Sequence, residues 1–383
     1  MSDLNSSAGP YSAESTLGAA SRILLGDLDL SAGDAVPERD RVEPFLAALL
    51  QAEHLNVLVG SGLTTGMAHA AGADSTEMPD MGARIEVDDL DLVAAIEDKA
   101  SKSAAAMLRG EANIEDRLRV AMIASEGLGM VDDPRAEQIQ TAIEATLTKL
   151  LDTVASVEKA IAMGSQSPVG ASTMTVQGLL MAFLGSFAGR TPTRDRLHVF
   201  TTNYDRLIEW GADLAGLRTV DRFVGLLQPV FRSSRLEIDF HYSPPGTVRD
   251  PRHLDGVFRL TKLHGSLDWA WNEQDHRLVR APLPFGIAPT TSPGQLLIYP
   301  NSAKDVETTA YPYADLFRDF SAATCRPHTA LVTYGYGFGD DHINRVLHDM
   351  LTIPSTHLLI VSYDGAAGRI DQFIQHHRRQ GQV

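Results

Sequence analysis

The feature that most constrains the fold of this chain is a short apolar segment that ends in glycine or polar residues and is followed by a helical pattern. The first example is LNVLV at residues 55–59, which runs directly into GSG. Similar segments recur after residue 196, and helical patterns separate most of them. Strands that alternate with helices predict an α/β fold with a doubly wound, mostly parallel sheet and helices on both faces. The predicted strands are residues 55–59, 197–201, 257–263, 296–299, 330–334 and 358–362.

Regions of different composition predict the domain organisation. Residues 1–38 are rich in Ser, Gly and Ala, which predicts an N-terminal arm that is partly disordered on its own. Residues 39–66 and 191–383 carry the strand signals of the α/β domain. Residues 67–190 are rich in alanine and have helical periodicity without a sustained heptad, which predicts a large helical insertion domain rather than a coiled coil. Two segments of the α/β domain are predicted to be loops or small excursions, at residues 218–255 and 281–312.

The composition limits the class of protein and its compartment. The chain has 383 residues and a net charge of −16. Binding to nucleic-acid phosphates requires clustered Lys and Arg, so direct sequence-specific nucleic-acid binding is not expected. No apolar run reaches the roughly 18 residues of a membrane span, and the N-terminal residues lack a signal-peptide pattern, so we expect a cytoplasmic protein without membrane association. The single cysteine, Cys325, excludes an internal disulfide and a cysteine-rich zinc module.

The first candidate ligand-binding loop is GSGLTTG at residues 60–66, directly after a predicted strand. In a parallel sheet, ligands bind beyond the carboxyl ends of the strands. Glycines allow the backbone to approach a pyrophosphate, and the N-terminus of a following helix favours an anion. The spacing differs from GxGxxG, and any tight turn between a strand and a helix also favours glycine. Both interpretations of this loop stay open on its own sequence.

The second candidate segment is TTNYD at residues 201–205, which ends one strand and precedes a helix. Either Asn203 or Asp205 is suited to cap that helix. A cap requires only one of them, and Thr202 adds a further polar side chain at the same strand end. The excess of polar groups predicts a functional site here.

Two later strand ends carry further candidates. His264 follows the strand 257–263 in the sequence KLHGS, where a lone histidine before glycine is more often a turn residue than a catalyst. The segment GYGFGDDH at residues 335–342 follows the strand 330–334, and its three glycines alternate with aromatic residues. Helix capping accounts for the aspartates of this segment, whereas the glycines indicate a second loop that approaches a ligand.

Taken in order, these four segments resemble motifs of the sirtuin (Sir2) superfamily. GSGLT at 60–64 is similar to the family's GAGIS cofactor loop, TTNYD at 201–205 to its TQNID motif, and KLHGS at 262–266 to its catalytic HGS strand end. GYGFGD at 335–340 is similar to the final loop of prokaryotic Sir2-like proteins of antiphage defence. The four-cysteine zinc module of protein-deacylating sirtuins is missing, so no zinc is expected. The family's PDFR motif is matched only in part, by Pro79-Asp80-Met81.

The resemblance implies a Rossmann-like domain with NAD as its substrate, and an NAD hydrolase that releases nicotinamide and ADP-ribose. Asn203 is then expected to orient water and the nicotinamide ribose, and His264 to act as a general base. Asp205 is expected to stabilise positive charge or to fix Asn203. The residues expected to bind the rest of NAD are Gly60, Ser61, Gly62, Thr64, Thr202, Gly335, Tyr336, Phe338 and Asp340.

The resemblance also implies a biological setting. The stand-alone chain is similar in size to the Sir2 subunit that assembles with a HerA-type ATPase, so we expect such a partner and a homo-oligomer. Three other functions stay open: a non-catalytic subunit that senses NAD or ADP-ribose and gates a partner, an NAD-dependent protein deacylase or ADP-ribosyl transferase, and a nuclease. The missing cysteines disfavour the deacylase, and the lack of a carboxylate pair with metal-binding spacing disfavours the nuclease.

Overall fold

The computed structural model describes most of the chain, with several gaps. The described residues are 24–25, 28–29, 39–73, 84–106, 111–170, 173–190, 194–234, 238–242, 252–290, 296–298, 311–377 and 382–383. The predicted arm at residues 1–38 lies outside these ranges except for two short strands. The partial motif Pro79-Asp80-Met81 lies outside them entirely.

The described residues contain fifteen strands. In chain order they are β1 (Leu24–Leu25), β2 (Leu28–Asp29), β3 (His54–Val59), β4 (His198–Thr201), β5 (Arg218–Val220), β6 (Phe223–Val224), β7 (Val230–Phe231), β8 (His241–Tyr242), β9 (Arg252–His253), β10 (Val257–Lys262), β11 (Gly265–Asn272), β12 (Arg277–Arg280), β13 (Leu296–Ile298), β14 (Thr329–Tyr334) and β15 (His357–Val361).

The same part of the chain contains ten α-helices and a short 3₁₀ helix at Ala366–Gly368. The α-helices are α1 (Arg39–Leu50), α2 (Ser61–Ala70), α3 (Leu90–Ala106), α4 (Ile114–Gly129), α5 (Arg135–Met163), α6 (Val176–Ala188), α7 (Leu207–Ala215), α8 (Tyr313–Thr324), α9 (Asp341–Met350) and α10 (Arg369–His377).

A six-stranded parallel sheet forms the centre of the fold, in the order β15-β14-β3-β4-β10-β5. This arrangement confirms the predicted α/β, Rossmann-like sheet. From β3 the sheet continues toward β4, whereas from β14 it continues toward β15. The connections after these two neighbouring strands therefore run in opposite directions. Such a switch point is where open α/β sheets form their ligand crevice.

Alternation of side chains along the strands gives the sheet two apolar faces. Leu55, Val57 and Val59 of β3 pack in one cluster with residues of α2, α6 and α7. Leu58 points to the opposite face and belongs to a second cluster with residues of α8, α9 and α10. Because successive strand side chains point to opposite faces, the apolar residues of β3 contribute to both layers.

The chain also contains a second sheet that the sequence did not predict. Five antiparallel strands form it, in the order β13-β11-β12-β7-β6. The predicted strand at 296–299 corresponds to β13 and pairs with β11 in this sheet, so its assignment to the parallel sheet was wrong. The segment 218–255, predicted to be loops or small excursions, supplies the edge strand β5 of the parallel sheet and two short strands of the second sheet. Strands of two or three residues are too short to show a periodic pattern.

The region predicted as a helical insertion contains α3, α4, α5 and α6. Helices α3, α4 and α5 share one apolar cluster, which also includes Leu267 and Val279 of the second sheet. Helix α6 instead packs on the parallel sheet through Leu180 and Leu184. The division at residues 67 and 190 stays a prediction. No helix among the described residues is both long and apolar enough to cross a membrane.

Candidate functional site

The strand register places all four candidate segments at one edge of the parallel sheet. Tyr334 pairs with Val59, Val59 pairs with Thr201, and Thr201 pairs with Lys262. These four residues end β14, β3, β4 and β10, so the segments that follow them begin in one row. Three inter-strand spacings cover about 14 Å. This edge includes the switch point between β3 and β14.

The two glycine loops pack against each other through their backbones. The Gly60 amide donates to the Tyr334 carbonyl oxygen at 3.0 Å, and the Gly62 amide donates to the Gly335 carbonyl oxygen at 3.0 Å. A Cβ atom on Gly62 would lie 2.6 Å from the Gly335 Cα atom. Gly335 itself has a φ of +61°, which favours glycine. The close loop contact therefore accounts for these glycines, and it already uses the amides of Gly60 and Gly62.

The Asn203 side chain connects the first loop to the second candidate segment. Its Nδ2 atom donates to the Gly60 carbonyl oxygen at 3.0 Å and to the Thr64 Oγ1 atom at 3.1 Å. The Thr64 hydroxyl donates in turn to Asp205 Oδ2 at 2.7 Å. Asn203, Thr64 and Asp205 are all buried. Thr64 thus links Asp205 to Asn203 through hydrogen bonds within the protein, and the expected roles of these residues stay predictions.

Asp205 also fulfils the capping role that its sequence position allowed. Its Oδ1 atom accepts a hydrogen bond of 3.0 Å from the Leu207 amide at the start of α7. Helix α7 ends where predicted, since Gly216 follows it with a φ of +67°. One carboxylate therefore holds both the helix start and the polar network.

The sequence analysis did not identify Lys262 as a site residue, although it contacts the second candidate segment, TTNYD. This side chain is buried, and its Nζ atom donates to the Asp205 carbonyl oxygen. It also forms an ion pair of 3.2 Å with Glu209 in α7. Lys262 is the last residue of β10, which also contains Arg259 and Thr261, so the sequence pattern of the strand does not mark it as buried.

His264 lies buried beside a second histidine that the sequence did not mark as a site residue. Its Nε2 atom is 3.1 Å from Nε2 of His342, which is also buried and lies at the start of α9. Ligand atoms of His264, His342 and Asp340 all lie within 4.8 Å of one another. The final loop therefore meets the end of β10 at these three side chains. His342 follows the DD pair in the sequence, and only the sheet order brings it to His264.

Two predicted ligand-binding residues of the final loop are core residues. Tyr336 and Phe338 are 3% and 4% exposed and belong to the apolar cluster beneath the loop. The Tyr336 hydroxyl donates to Asn344 Oδ1 at 3.1 Å, and burial raises the pKa of Tyr336 well above its usual range. Phe338 packs on Phe373 of α10 with ring centroids 4.8 Å apart. Gly335 and Asp340, the other two candidates of this loop, are half-buried.

The remaining candidates lie closer to solvent. Ser61 is exposed at the first position of α2, a helix of ten residues. Thr202 is half-buried, and its amide donates to the Val59 carbonyl oxygen at 3.2 Å. Both positions therefore lie at the ends of β3 and β4, where a ligand can reach their hydroxyl groups.

Helix α4 of the predicted helical insertion contacts the candidate site at Tyr204. The Tyr204 hydroxyl lies 2.9 Å from Oε1 of Glu115, a buried residue in the first turn of α4, and donates to it. Desolvation, followed by the charge of Glu115, raises the pKa of Tyr204 well above its usual range. The Tyr204 ring lies 6.5 Å from the His264 ring, centroid to centroid. A shift of α4 would therefore move a ring that neighbours the candidate base.

A buried ion pair fixes α5 to the same segment. Glu158 accepts hydrogen bonds from the Arg206 amide at 2.7 Å and from the Gly286 amide at 2.9 Å. Its second contact with Arg206 is an ion pair of 2.5 Å, in which the side chains are 1% and 6% exposed. Arg206 directly follows the TTNYD segment, so α5 helps to fix where this segment turns into α7.

These contacts define what the site can do chemically. A buried imidazole with a second imidazole next to it can accept a proton away from bulk water. A side-chain amide held by two hydrogen bonds, such as that of Asn203, can orient a polar substrate group. The charged side chains that shape the segment are tied into protein contacts, which suits preorganisation more than covalent catalysis.

Comparison with known proteins identifies a matching family. Residues 197–380 match the family model described as the SIR2-like domain. The match contains the TTNYD, KLHGS and GYGFGD segments, so this part of the chain is similar to SIR2-like domains. SIR2-like domains use NAD as a substrate, so the match supports NAD-related activity in general. No curated protein matches the sequence.

Proposed function

We propose that this protein is an NAD⁺ glycohydrolase, which cleaves the bond between nicotinamide and ribose and transfers the ribosyl carbon to water. The products are nicotinamide, ADP-ribose and one proton. The observation that carries this proposal is the row of four strand ends. Asn203 and His264 each lie two residues after the last residue of the adjacent strands β4 and β10, near the switch point. The SIR2-like match over residues 197–380 supports NAD as the substrate.

The proposed reaction does not require an acid catalyst to protonate the leaving group. The nicotinamide nitrogen carries a positive charge in NAD⁺, so it leaves as a neutral molecule without protonation. Positive charge then develops on the ribose carbon, and the site must hold the ribose and admit one water. The polar network fixes Asn203 at two points, which suits it to orient the ribose and the water.

His264 is the proposed general base. Water that attacks the ribose carbon loses one proton, and the buried imidazole of His264 accepts it and passes it to solvent. His342 lies 3.1 Å away and positions the His264 ring through its Nε2 atom. Asp340, the third member of this group, faces the same centre and favours positive charge there.

The rest of the dinucleotide is proposed to lie along the switch point. Ser61, Thr202 and the backbone of the loop that begins at Gly335 offer polar groups at this edge. The close backbone contact between Gly62 and Gly335 forms the base of this proposed binding region. Tyr336 and Phe338 pack beneath it in the apolar core.

The proposed setting is antiphage defence, in a homo-oligomer that assembles with a HerA-type ATPase. Depletion of NAD is toxic, so the activity must be held off until infection. The contact between Tyr204 and Glu115 supports a route for such control, because it links the helical region to the site.

The decisive experiment incubates the purified chain with NAD, with and without its genomic neighbour, and measures nicotinamide and ADP-ribose by chromatography. We expect both products in equal amounts, and His264→Ala is expected to fold yet lose at least 100-fold in kcat. His357→Ala, which changes an exposed histidine at the start of β15, is the matched control. Retained turnover in His264→Ala would refute the assigned base.

The same assay separates the other functions. Binding of NAD without turnover in the presence of the neighbour would favour a sensing subunit. Formation of acetyl-ADP-ribose from an acetylated peptide would favour a deacylase. Either result would overturn the hydrolase proposal.

A further inference from the structure

Three histidines meet at the C-terminal ends of α9 and α10. His348 lies in the last turn of α9, and His376 and His377 are the last two residues of α10. One ring nitrogen from each lies within 4.8 Å of the other two. The ring centroid of His348 lies 5.2 Å from that of His376 and 4.8 Å from that of His377. We call these three residues the C-terminal histidine cluster.

We propose that the C-terminal histidine cluster binds a zinc ion. Imidazole nitrogen is a preferred zinc ligand, and three protein ligands with an open fourth position are a common zinc arrangement. Zinc has no geometric preference from its d-electrons, so it tolerates ligands supplied by two different helices. The single cysteine argued against a thiolate site, and that argument does not extend to a site made of imidazoles.

The distances within the cluster are compatible with this ion. Nδ1 of His348 lies 2.5 Å from Nε2 of His377. Ligand nitrogens of a tetrahedral zinc site are about 3.3 Å apart, which follows from zinc–nitrogen distances of about 2.0 Å. The pair therefore needs to open by less than about 1 Å, which side-chain rotation provides. His376 is exposed, so the cluster is accessible to an ion from solvent.

Favourable interaction with the helix dipole does not explain the cluster. A protonated histidine at a helix C-terminus is stabilised by that dipole, and one such residue per helix satisfies it. Three protonated imidazoles at these distances would repel one another. The neutral form of imidazole binds metal, and a bound cation accounts for three ligand nitrogens that lie within 4.8 Å of one another.

The cluster is physically connected to the final glycine loop. The Phe373 ring stacks on His348 with centroids 4.9 Å apart, and it packs on Phe338 at 4.8 Å. Phe338 belongs to the GYGFGD segment. An ion that ties α10 to α9 would therefore hold Phe373 in place and stabilise the core beneath this loop.

The test uses the full chain without an affinity tag, treated with a chelator, dialysed and titrated with ZnCl₂ by calorimetry. We expect a site that binds one zinc ion per chain and a higher melting temperature in its presence. His376→Gln is the main variant because its side chain is exposed and its loss leaves the fold intact. We expect it to weaken zinc binding at least tenfold. His357→Gln, another exposed histidine, is expected to bind zinc as the wild type does.

A second variant separates this site from the candidate active site. His264, Asp340 and His342 also form a group with metal-ligand spacing. His264→Gln is expected to keep the zinc ion of the C-terminal cluster. Loss of the binding heat in His264→Gln but not in His376→Gln, or wild-type affinity in both His376→Gln and His348→Gln, would overturn the proposal. None of these readouts depends on NAD turnover.

Discussion

The Asn203 side-chain amide at the end of β4 donates a 3.0 Å hydrogen bond to the Gly60 carbonyl oxygen at the end of β3. The same Nδ2 atom donates to Thr64, which donates to Asp205. One amide therefore satisfies an acceptor in the first glycine loop and holds the start of the polar chain to Asp205. Its two protons are both used within the protein, so under the proposed function the substrate or the water would contact its Oδ1 atom.

The first prediction concerns Asn203→Ala. The substitution removes the oriented amide, and we expect kcat for NAD hydrolysis to fall about 100-fold or more. It also leaves the Gly60 carbonyl oxygen without this donor, which is expected to lower the free energy of unfolding by about 1–3 kcal/mol. Gln140→Ala removes an exposed amide on α5 and is expected to change neither. Folded Asn203→Ala with wild-type turnover would exclude Asn203 from the mechanism.

The second prediction compares two glycines of α2. A Cβ atom on Gly62 would lie 2.6 Å from the Gly335 Cα atom, whereas one on Gly66 has nothing within 4 Å. Gly62→Ala is expected to lower the free energy of unfolding by about 1–3 kcal/mol. Gly66→Ala is expected to raise it by about 0.5–1 kcal/mol, because alanine favours the helix. Urea denaturation measures both, and equal stability of the two variants would contradict the packed loops.

Local sequence patterns were enough to select the candidate segments of the site. Asn203 and His264 were selected because each follows a predicted strand, and the parallel register brings their segments to one edge of the sheet. The same reasoning assigned Tyr336 and Phe338 to a ligand, because an aromatic between glycines looks the same whether its ring points outward or inward. Their burial depends on α10, which lies far along the chain.

The sequence also did not show that the glycines of the two loops pack against each other. A glycine turn after a strand predicts a pyrophosphate at Gly62, and this role stays a prediction. The residue that packs against Gly62 is Gly335, and only the order of β14 next to β3 puts them together. His342 was missed for the same reason, since its contact with His264 spans a sequence separation of 78 residues.

The third prediction concerns the buried pair of Glu158 and Arg206. Their side chains are 1% and 6% exposed, so removing one charge leaves the other desolvated. Glu158→Gln keeps the shape and is expected to lower the free energy of unfolding by about 3–5 kcal/mol. Asp98→Asn breaks an exposed pair with Lys102 and is expected to cost less than about 1 kcal/mol. Similar midpoints in urea for the two variants would contradict a structural role for the buried pair.

The fourth prediction depends on the buried ring of His198. This side chain is 5% exposed, and its Nε2 atom lies 2.8 Å from the Thr261 hydroxyl. Desolvation, together with Arg259 and Arg222, lowers the pKa of His198 well below its usual value of 6.5. Below pH 6.5 the unfolded chain therefore binds a proton that the folded chain rejects at this position.

The contribution of His198 to stability is thus fully present above pH 6.5 and decreases as the pH falls toward its folded-state pKa. We expect the free energy of unfolding of the wild type, relative to His198→Gln, to fall by about 1.4 kcal/mol for each pH unit between 6 and 5. Urea denaturation at a series of pH values measures this difference. His357→Gln, which changes an exposed histidine, is expected to follow the wild type at every pH. A difference between the wild type and His198→Gln that does not change with pH would show that His198 is protonated in the folded protein, and that its burial does not oppose the charge.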